Sequence, residues 1–230
     1  MENNLRPSKK SVTEGAVVPV FPLPELVFFP ETVLPLHVFE TRYREMVRDA
    51  SAGPNLVGMA LLRPGYEKDY QGSPEIHPVG TVGRIEKLRP LSDGRFMLNL
   101  RGLARVTYHE TPSGKTYRTA RVSLRPEAAI HAVDTSLEPV KTDVQTTHAL
   151  LLRALTDSSV PALAMNERDS FAAVVNRACL DLPVAAELRQ ELLLVDDLRE
   201  RQRRVSRLLN EILRQVMAER PDGLLDDLPS

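Results

Sequence analysis

The sequence predicts an α+β protein, in which a β-rich part with one early helix precedes a part made only of helices. Up to Pro126, short apolar runs alternate with turns that contain glycine or proline, a pattern typical of strands. Between Leu137 and Ala218, apolar residues recur at helical spacing with only short breaks. Strands that precede the helices, and do not alternate with them, favour the α+β class over a parallel α/β fold.

The order of these patterns divides the 230 residues into two subdomains and two tails. We expect a β barrel or curled sheet at residues 16–126 and a helical subdomain at residues 127–220. The polar residues 1–15 are expected to form a flexible tail, and residues 221–230 a frayed one.

The first apolar segment, residues 18–39, is called the leader below, and it holds five prolines between Pro19 and Pro35. Proline fixes its own φ angle and pushes the preceding residue toward extended geometry, so we expect the leader to be extended. Because proline is poorly tolerated in central strands, the two strands of the leader are expected at a sheet edge or a barrel seam.

The other elements follow from the apolar spacing after the leader. A short helix is expected at residues 40–50, because Tyr43, Met46, Val47 and Ala50 share one helix face. The strands expected next comprise residues 56–62, 76–88, 96–100, 104–108 and 117–124. The helices expected in the second subdomain comprise residues 137–157, 167–178, 184–193 and 195–219.

Composition excludes several classes of function. The net charge of −1, with both signs mixed, offers no broad attraction for nucleic acid. No apolar run approaches the roughly 18 residues that a membrane span needs. One cysteine, Cys179, allows no internal disulfide, and we expect it to be a buried core residue. These features favour a soluble cytoplasmic protein with no nucleic-acid or membrane partner.

Proline, aromatic and charged residues occur together around the leader in a recognisable order. The residues concerned are Phe21, Pro22, Pro30, Leu34, Pro35, Phe39, Glu40, Arg42 and Tyr43. This pattern resembles the start of the LON substrate-binding domain, the N-terminal domain of ATP-dependent Lon proteases. The resemblance continues through residues 80–86, 100–106 and 189–201. It implies a PUA-like pseudo-barrel followed by helices, with structural roles for the motif residues.

The resemblance also argues against catalysis. Complete Lon proteases carry an ATPase module and a Ser-Lys proteolytic dyad, and this chain ends before either would begin. Ser113-Gly114-Lys115-Thr116 matches only the end of a P-loop, since His109 replaces the glycine that the motif needs. No two of the five histidines are closer than 17 residues, which disfavours a metal site. We therefore expect no enzyme activity and no cofactor.

A polypeptide-binding module is the first hypothesis for function. Leu26, Val27, Phe28 and Phe29 form a dense apolar cluster among the prolines of the leader. They either belong to the core or border an exposed groove for unfolded or extended polypeptide. In the second case the protein would act as an adaptor or a chaperone-like factor, with a protease or a chaperone as partner.

Two alternatives come from other classes of function. One is a small-ligand binder or enzyme with a polar cavity between barrel and helices, lined by residues such as His37, Glu40, Arg42 or His77. In that case His37 would not be the hydrogen-bonded structural histidine that its apolar neighbours favour. The other alternative is a self-associating scaffold through residues 195–219. In that helix a coiled-coil-like stripe is formed by Val205, Leu209, Ile212 and Val216.

Overall fold

The computed structural model describes residues 12–70, 72–127, 136–156 and 165–219. Strands make up the first part: β1 (Val17–Leu23), β2 (Val33–Val38), β3 (Leu56–Leu61), β4 (Val79–Pro90), β5 (Phe96–Thr111) and β6 (Arg118–Leu124). The helices are α1 (Thr41–Ala52), α2 (Leu137–Leu155), α3 (Phe171–Asp181), α4 (Ala186–Leu194) and α5 (Leu198–Glu219). The chain divides into two compact units, Met1–Pro126 and Glu127–Ser230. The predicted α+β class is confirmed.

The strands of the first unit form one sheet in the order β2-β5-β4-β3-β1-β6, and β6 pairs in turn with β5. This last pairing closes a barrel from which β2 projects as an edge strand. The long strand β5 makes both arrangements, because its first residues pair with β2 and its last residues pair with β6. Its register with β4 shifts after Val82, where Gly83 lies opposite Gly102.

Only one strand of the leader lies at the sheet edge that its prolines were expected to require. β2, with Pro35, lies at the sheet edge, whereas β1 lies between β3 and β6. β1 nevertheless tolerates Pro19 and Pro22 because its two halves pair with different neighbours. Residues 17–20 pair with β6 and residues 20–23 pair with β3, so each proline has a strand on one side only.

The barrel interior is built around one tyrosine. The hydroxyl of Tyr108 donates a hydrogen bond toward the carbonyl oxygens of Met59 and Thr81, 3.1 Å and 3.2 Å away. A Cβ atom at Gly58 would lie 2.7 Å from this hydroxyl, and one at Gly80 would lie 2.8 Å from the ring. Both glycines therefore leave the space that the ring fills, and burial raises the pKa of Tyr108.

A second apolar layer lies between α1 and the sheet. As the helical spacing predicted, Tyr43, Met46, Val47 and Ala50 are the buried residues of α1. The ring of Phe21 packs against that of Tyr43, with their centroids 4.3 Å apart. This contact joins the leader to the start of α1.

The second unit contains α2 to α5. Ser170 caps α3 by accepting a hydrogen bond from the backbone N–H of Ala173. In α5, Glu200 pairs with Arg203 and Arg204 on an exposed face. Arg201, in the same helix, is fully buried. It donates to the carbonyl oxygens of Leu192 and Val195, to Asn176 and to Glu127, and these acceptors compensate for the burial of its charge.

The predicted flexible tail at residues 1–15 needs one correction. Val12 is buried, the backbone N–H of Gly15 donates to the carbonyl of Val122, and Glu14 accepts from the N–H of Leu124. Residues 12–15 are thus attached to β6, while the rest of that tail and the predicted tail at 221–230 lie outside the described residues. Among the described residues, we find no helix with the length and apolar character that a membrane crossing requires.

Candidate functional site

The predicted binding cluster of the leader lies in the core. Val27, Phe28 and Phe29 are 3%, 2% and 0% exposed, and only Leu26 is half-buried. The prediction that these residues border an exposed groove is therefore wrong for the three buried side chains. We call Val27–Pro30 the leader turn below.

Two glycines and two threonines hold the leader turn against the sheet. A Cβ atom at Gly83 would lie 2.9 Å from the ring of Phe28, and one at Gly102 would lie 2.3 Å from the carbonyl oxygen of Phe29. The hydroxyl of Thr81 donates to the carbonyl of Phe28, and that of Thr32 to the carbonyl of Phe29, each at 2.6 Å. The leader turn thus packs against the sheet at the point where the register between β4 and β5 shifts.

Exposed side chains, most of them apolar, occur instead at the other end of the leader and on the adjacent strand β5. They lie on the face of β2 and β5 that points away from the core, and we call them the outer patch: Pro35, His37, Phe39 and Met97. Phe39 is 61% exposed and Met97 is 41% exposed. His37 pairs with Met97 across the strands, and its ring centroid lies 6.0 Å from that of Phe39. His37 is therefore exposed and is not the structural histidine that we expected.

A signal for the outer patch was present in the sequence. Leu34 and Val38 are buried in β2, so the alternation of a strand directs Pro35 and His37 to the opposite face. Phe39 continues that second series one step beyond the strand. Its place in the family motif made it look structural, whereas its position in the alternation indicates exposure.

Charged side chains border the outer patch. Arg101 on β5 donates to Glu86 on β4 at 3.0 Å, farther along the same face. Lys87 and Arg89 are exposed on β4, and Arg89 lies opposite Met97. An apolar centre with a polar border is the arrangement found at protein–protein interfaces.

The first unit also contains a cleft of about 410 Å³. Its walls come from the start of α1, the loop around Tyr70 and the hairpin that joins β5 to β6. Pro22 and Leu62 contribute apolar surface, whereas Arg42 and Arg118 contribute positive charge. The predicted polar cavity was placed between barrel and helices, but this cleft lies within the first unit.

The guanidinium of Arg42 is held by α1 and the loop. It lies 4.6 Å from the ring centroid of Tyr43 and 5.6 Å from that of Tyr70. It donates to Glu40 at 3.1 Å and to the carbonyl oxygen of Tyr70 at 3.3 Å. Of the residues predicted to line a cavity, Arg42 does so and Glu40 supports it, whereas His37 and His77 are not part of this cleft.

Arg118, at the start of β6, also lines the cleft. It is 12% exposed, donates to the carbonyl oxygen of Pro74, and pairs with Glu110 at 3.3 Å. Although burial raises the pKa of Tyr43 to about 12, the charges of Arg42 and Arg118 act in the opposite direction. Both arginines thus act on the same tyrosine hydroxyl.

The hairpin closes the cleft through contacts with α1. Lys115 donates to Asp49 at 2.9 Å and the hydroxyl of Tyr117 donates to the same carboxylate at 2.6 Å. These two hydrogen bonds hold the pKa of Asp49 below its ordinary value. The residues that match the end of a P-loop thus form a hairpin turn attached to a helix.

Other candidate residues have structural positions. Phe21, Pro22, Pro30, Leu34 and Tyr43 are buried. Burial raises the pKa of the Cys179 thiol to about 12, as suits a core residue. Among the described residues, no cluster of His, Cys, Asp or Glu side chains could hold a metal ion.

Comparison with known proteins decides the family. The model of the ATP-dependent protease La (LON) substrate-binding domain matches residues 17–211. This chain belongs to that family. The predicted resemblance is therefore confirmed, and the LON substrate-binding domain spans both units of the chain.

Relatives of this LON domain include full-length proteases. The Lon protease of Anaeromyxobacter dehalogenans is 27% identical over 217 residues, which are 89% of this chain and 25% of the relative. Lon protease 2 of Myxococcus xanthus is 29% identical over 200 residues, or 84% of this chain and 23% of the relative. The chain thus spans about a quarter of the length of these relatives.

Solved structures of Lon N-terminal domains have the same fold. A Lon N-terminal domain protein from Xanthomonas campestris has a TM-score of 0.59 and 25% identity, covering 83% of this chain and 96% of its own. The N-terminal domain of Mycobacterium avium complex Lon protease has a TM-score of 0.61 at 15% identity, covering 85% and 99%. The second comparison supports the fold alone.

Proposed function

We propose that this LON domain is a non-catalytic module that binds unfolded or extended polypeptide on the outer patch. Its family is described as a substrate-binding domain of a protease. The observation that carries the proposal is the exposure of Phe39, an aromatic residue that lies beside His37 and is 61% exposed. Aromatic side chains are frequent anchors of protein interfaces because they bury much area with little loss of conformational entropy.

Side chains, and not the strand edge, provide the contact in this proposal. β2 is the edge strand of the sheet, but Pro35 lacks the N–H that a continuous added strand would need. The outer patch instead offers Phe39 and Met97 to apolar side chains of the bound polypeptide. Recognition through a few apolar side chains is tolerant of sequence, as suits binding of unfolded chains.

Titration with an unfolded protein tests the proposal. Reduced, carboxymethylated α-lactalbumin is a suitable probe because it stays unfolded in buffer. Phe39→Ala and Met97→Ala are each expected to weaken its binding by about tenfold or more, the effect of losing an interface anchor. Val17→Ala is the matched control, since Val17 is 52% exposed on β1 outside the outer patch.

Equal binding by Phe39→Ala and the unchanged protein would refute the assignment of the outer patch. Equal weakening by Val17→Ala would show that any apolar surface suffices. Incubation of the purified chain with casein and ATP tests the non-catalytic part of the proposal. We expect no cleavage and no ATP hydrolysis, and either activity would contradict it.

An adaptor or chaperone-like role follows from the same binding. The chain is expected to delay aggregation of a heat-unfolded protein at equimolar concentration, as followed by light scattering. The Phe39→Ala variant serves as the control. Unchanged aggregation in the presence of the intact protein would contradict the chaperone-like role, while acceleration of degradation by an added full-length Lon protease would favour the adaptor.

Self-association through residues 195–219 remains a prediction, but fewer residues of the predicted stripe are accessible to a second copy. Val205 and Leu209 are buried inside the second unit, so they are occupied by its own core. The rest of the stripe, Ile212 and Val216, is only half-buried. Sedimentation of the protein as a monomer, at a concentration well above that used in the binding titration, would exclude a dimer through this helix.

A further inference from the structure

The geometry points to a carboxylate-binding site in the cleft that Arg42 and Arg118 line. Arg118 now pairs with the carboxylate of Glu110, and the carboxylate of a ligand would replace that partner. The ligand class is a carboxylate on an apolar body, which is the chemistry of a peptide C-terminus and of a small organic acid. This inference goes beyond the proposed function and does not depend on the outer patch.

The donors of the cleft are only partly used. A guanidinium carries five N–H donors. Within the described residues, Arg42 uses two of its groups on Glu40 and Tyr70, and Arg118 uses two on Pro74 and Glu110. The remaining donors can bind a further acceptor, and arginine suits carboxylates because its planar fork matches their two oxygens.

Glu110 is the weakest of the acidic partners around the cleft. Its oxygen lies 3.3 Å from Arg118, and its side chain is 50% exposed, whereas Arg118 is only 12% exposed. The other two cations are held more closely, Arg42 by Glu40 at 3.1 Å and Lys115 by Asp49 at 2.9 Å. The carboxylate of a ligand can therefore replace Glu110 as the partner of Arg118. The guanidinium would still pair with one negative charge after the exchange.

The walls of the cleft match an apolar body beside the carboxylate. Pro22, Leu62 and the ring of Tyr43 line the same space as the arginines. A volume of about 410 Å³ is within the range of small-ligand pockets, which hold one drug-sized molecule or a few residues of peptide. The hydroxyls of Thr111 and Thr119, 3.3 Å apart on the hairpin strands, add polar groups at its edge.

Two variants with opposite expected effects test the site. The probes are N-acetyl-dileucine with a free carboxylate, the same peptide as its C-terminal amide, and benzoate, each titrated against the full chain by NMR. Arg118→Gln is expected to weaken binding of the free acid by about tenfold, the loss of one charge-assisted hydrogen bond. Glu110→Gln is expected to tighten it, because the competing carboxylate is removed while the side chain keeps its size.

The outcomes separate the ligand sources and the two proposed surfaces. Tighter binding of the peptide acid than of benzoate would assign the site to polypeptide C-termini, and the reverse would assign it to small organic acids. Equal binding of the acid and the amide, or unchanged binding in Glu110→Gln, would overturn the inference. NMR signals that shift at Phe39 and Met97, and not at residues of the cleft, would place the probe on the outer patch and overturn the inference too.

Discussion

The leader turn and the Phe39 end of the outer patch belong to one apolar segment of the sequence but have opposite positions in the protein. Phe28 and Phe29 are at most 2% exposed, whereas Phe39, ten residues after Phe29, is 61% exposed. Both regions combine proline with aromatic residues. The difference is that glycines on the sheet make room for the leader turn, while strand alternation directs the outer patch to the other face.

This contrast shows that the density of apolar residues does not decide which of them are exposed. The cluster at residues 26–29 is the more apolar of the two, and it is the one that is buried. Its burial depends on Gly83 and Gly102, which are more than 50 residues later in the chain. Exposure of Pro35, His37 and Phe39 follows from the alternation along β2, a local property.

Phe28→Ala should produce the largest effect. Truncation of a buried phenylalanine leaves a cavity, and we expect the free energy of unfolding to fall by about 3–5 kcal/mol. Chemical denaturation followed by circular dichroism measures this loss. A loss below about 1 kcal/mol, typical of surface sites, would break the contrast between the two regions.

Gly102→Ala should destabilise the protein by about 3 kcal/mol, because the added methyl group meets the backbone of Phe29 and cannot move aside. Gly114→Ala is the matched control. Gly114 has a φ of +64° but no neighbouring atom within 4 Å, so that variant tests backbone strain alone. We expect that variant to lose about 1 kcal/mol of stability. An equal loss in the two variants would argue against the close packing of Phe29 on Gly102.

Thr81→Val should have an intermediate effect. Valine has nearly the same shape, but it leaves the buried carbonyl oxygen of Phe28 without its donor, at a cost of about 1–2 kcal/mol. Thr119→Val on the part-buried hairpin is the comparison, where water can replace the lost hydroxyl. We expect a smaller loss of stability there. The loss is measured from the midpoints of denaturant unfolding when the variants have the same m-value.

Phe39→Ala should have the smallest effect on stability, within about 0.5 kcal/mol, since an exposed side chain loses little on truncation. Its effect on polypeptide binding, by contrast, should be large. The combination of unchanged stability and lost binding sharpens the comparison. A stability loss as large as that of Phe28→Ala would mean that the outer patch is packed as core.

Several features could be predicted from the sequence because their signals are local. The helix face of Tyr43, Met46, Val47 and Ala50 and the fully buried strand β3 both follow from apolar spacing alone. The turn at Gly94 follows from its residue types, and its φ of +81° is the conformation that glycine supplies. In each case the determining residues lie within a few positions of one another.

Other features could not be predicted because their partners are distant. Arg201 lies in a basic run on an amphipathic helix, and nothing nearby indicates that Asn176 and Glu127 bind it in the core. The cleft joins Arg42 to Arg118, which are separated by β3, β4 and β5. The exposure of Phe39, by contrast, had a local signal in the alternation of β2, although its motif position had suggested a structural role.

The sequence by itself determined the α+β class, the LON family and the succession of strands and helices. These features follow from the spacing of apolar residues and from the order of the motif residues along the chain. Tertiary structure alone decided that the leader turn is buried and where the cations of the cleft meet. The physical reason is that burial depends on the space and hydrogen-bond partners that distant segments provide. Gly83, Gly102 and Thr81 provide both for the leader turn.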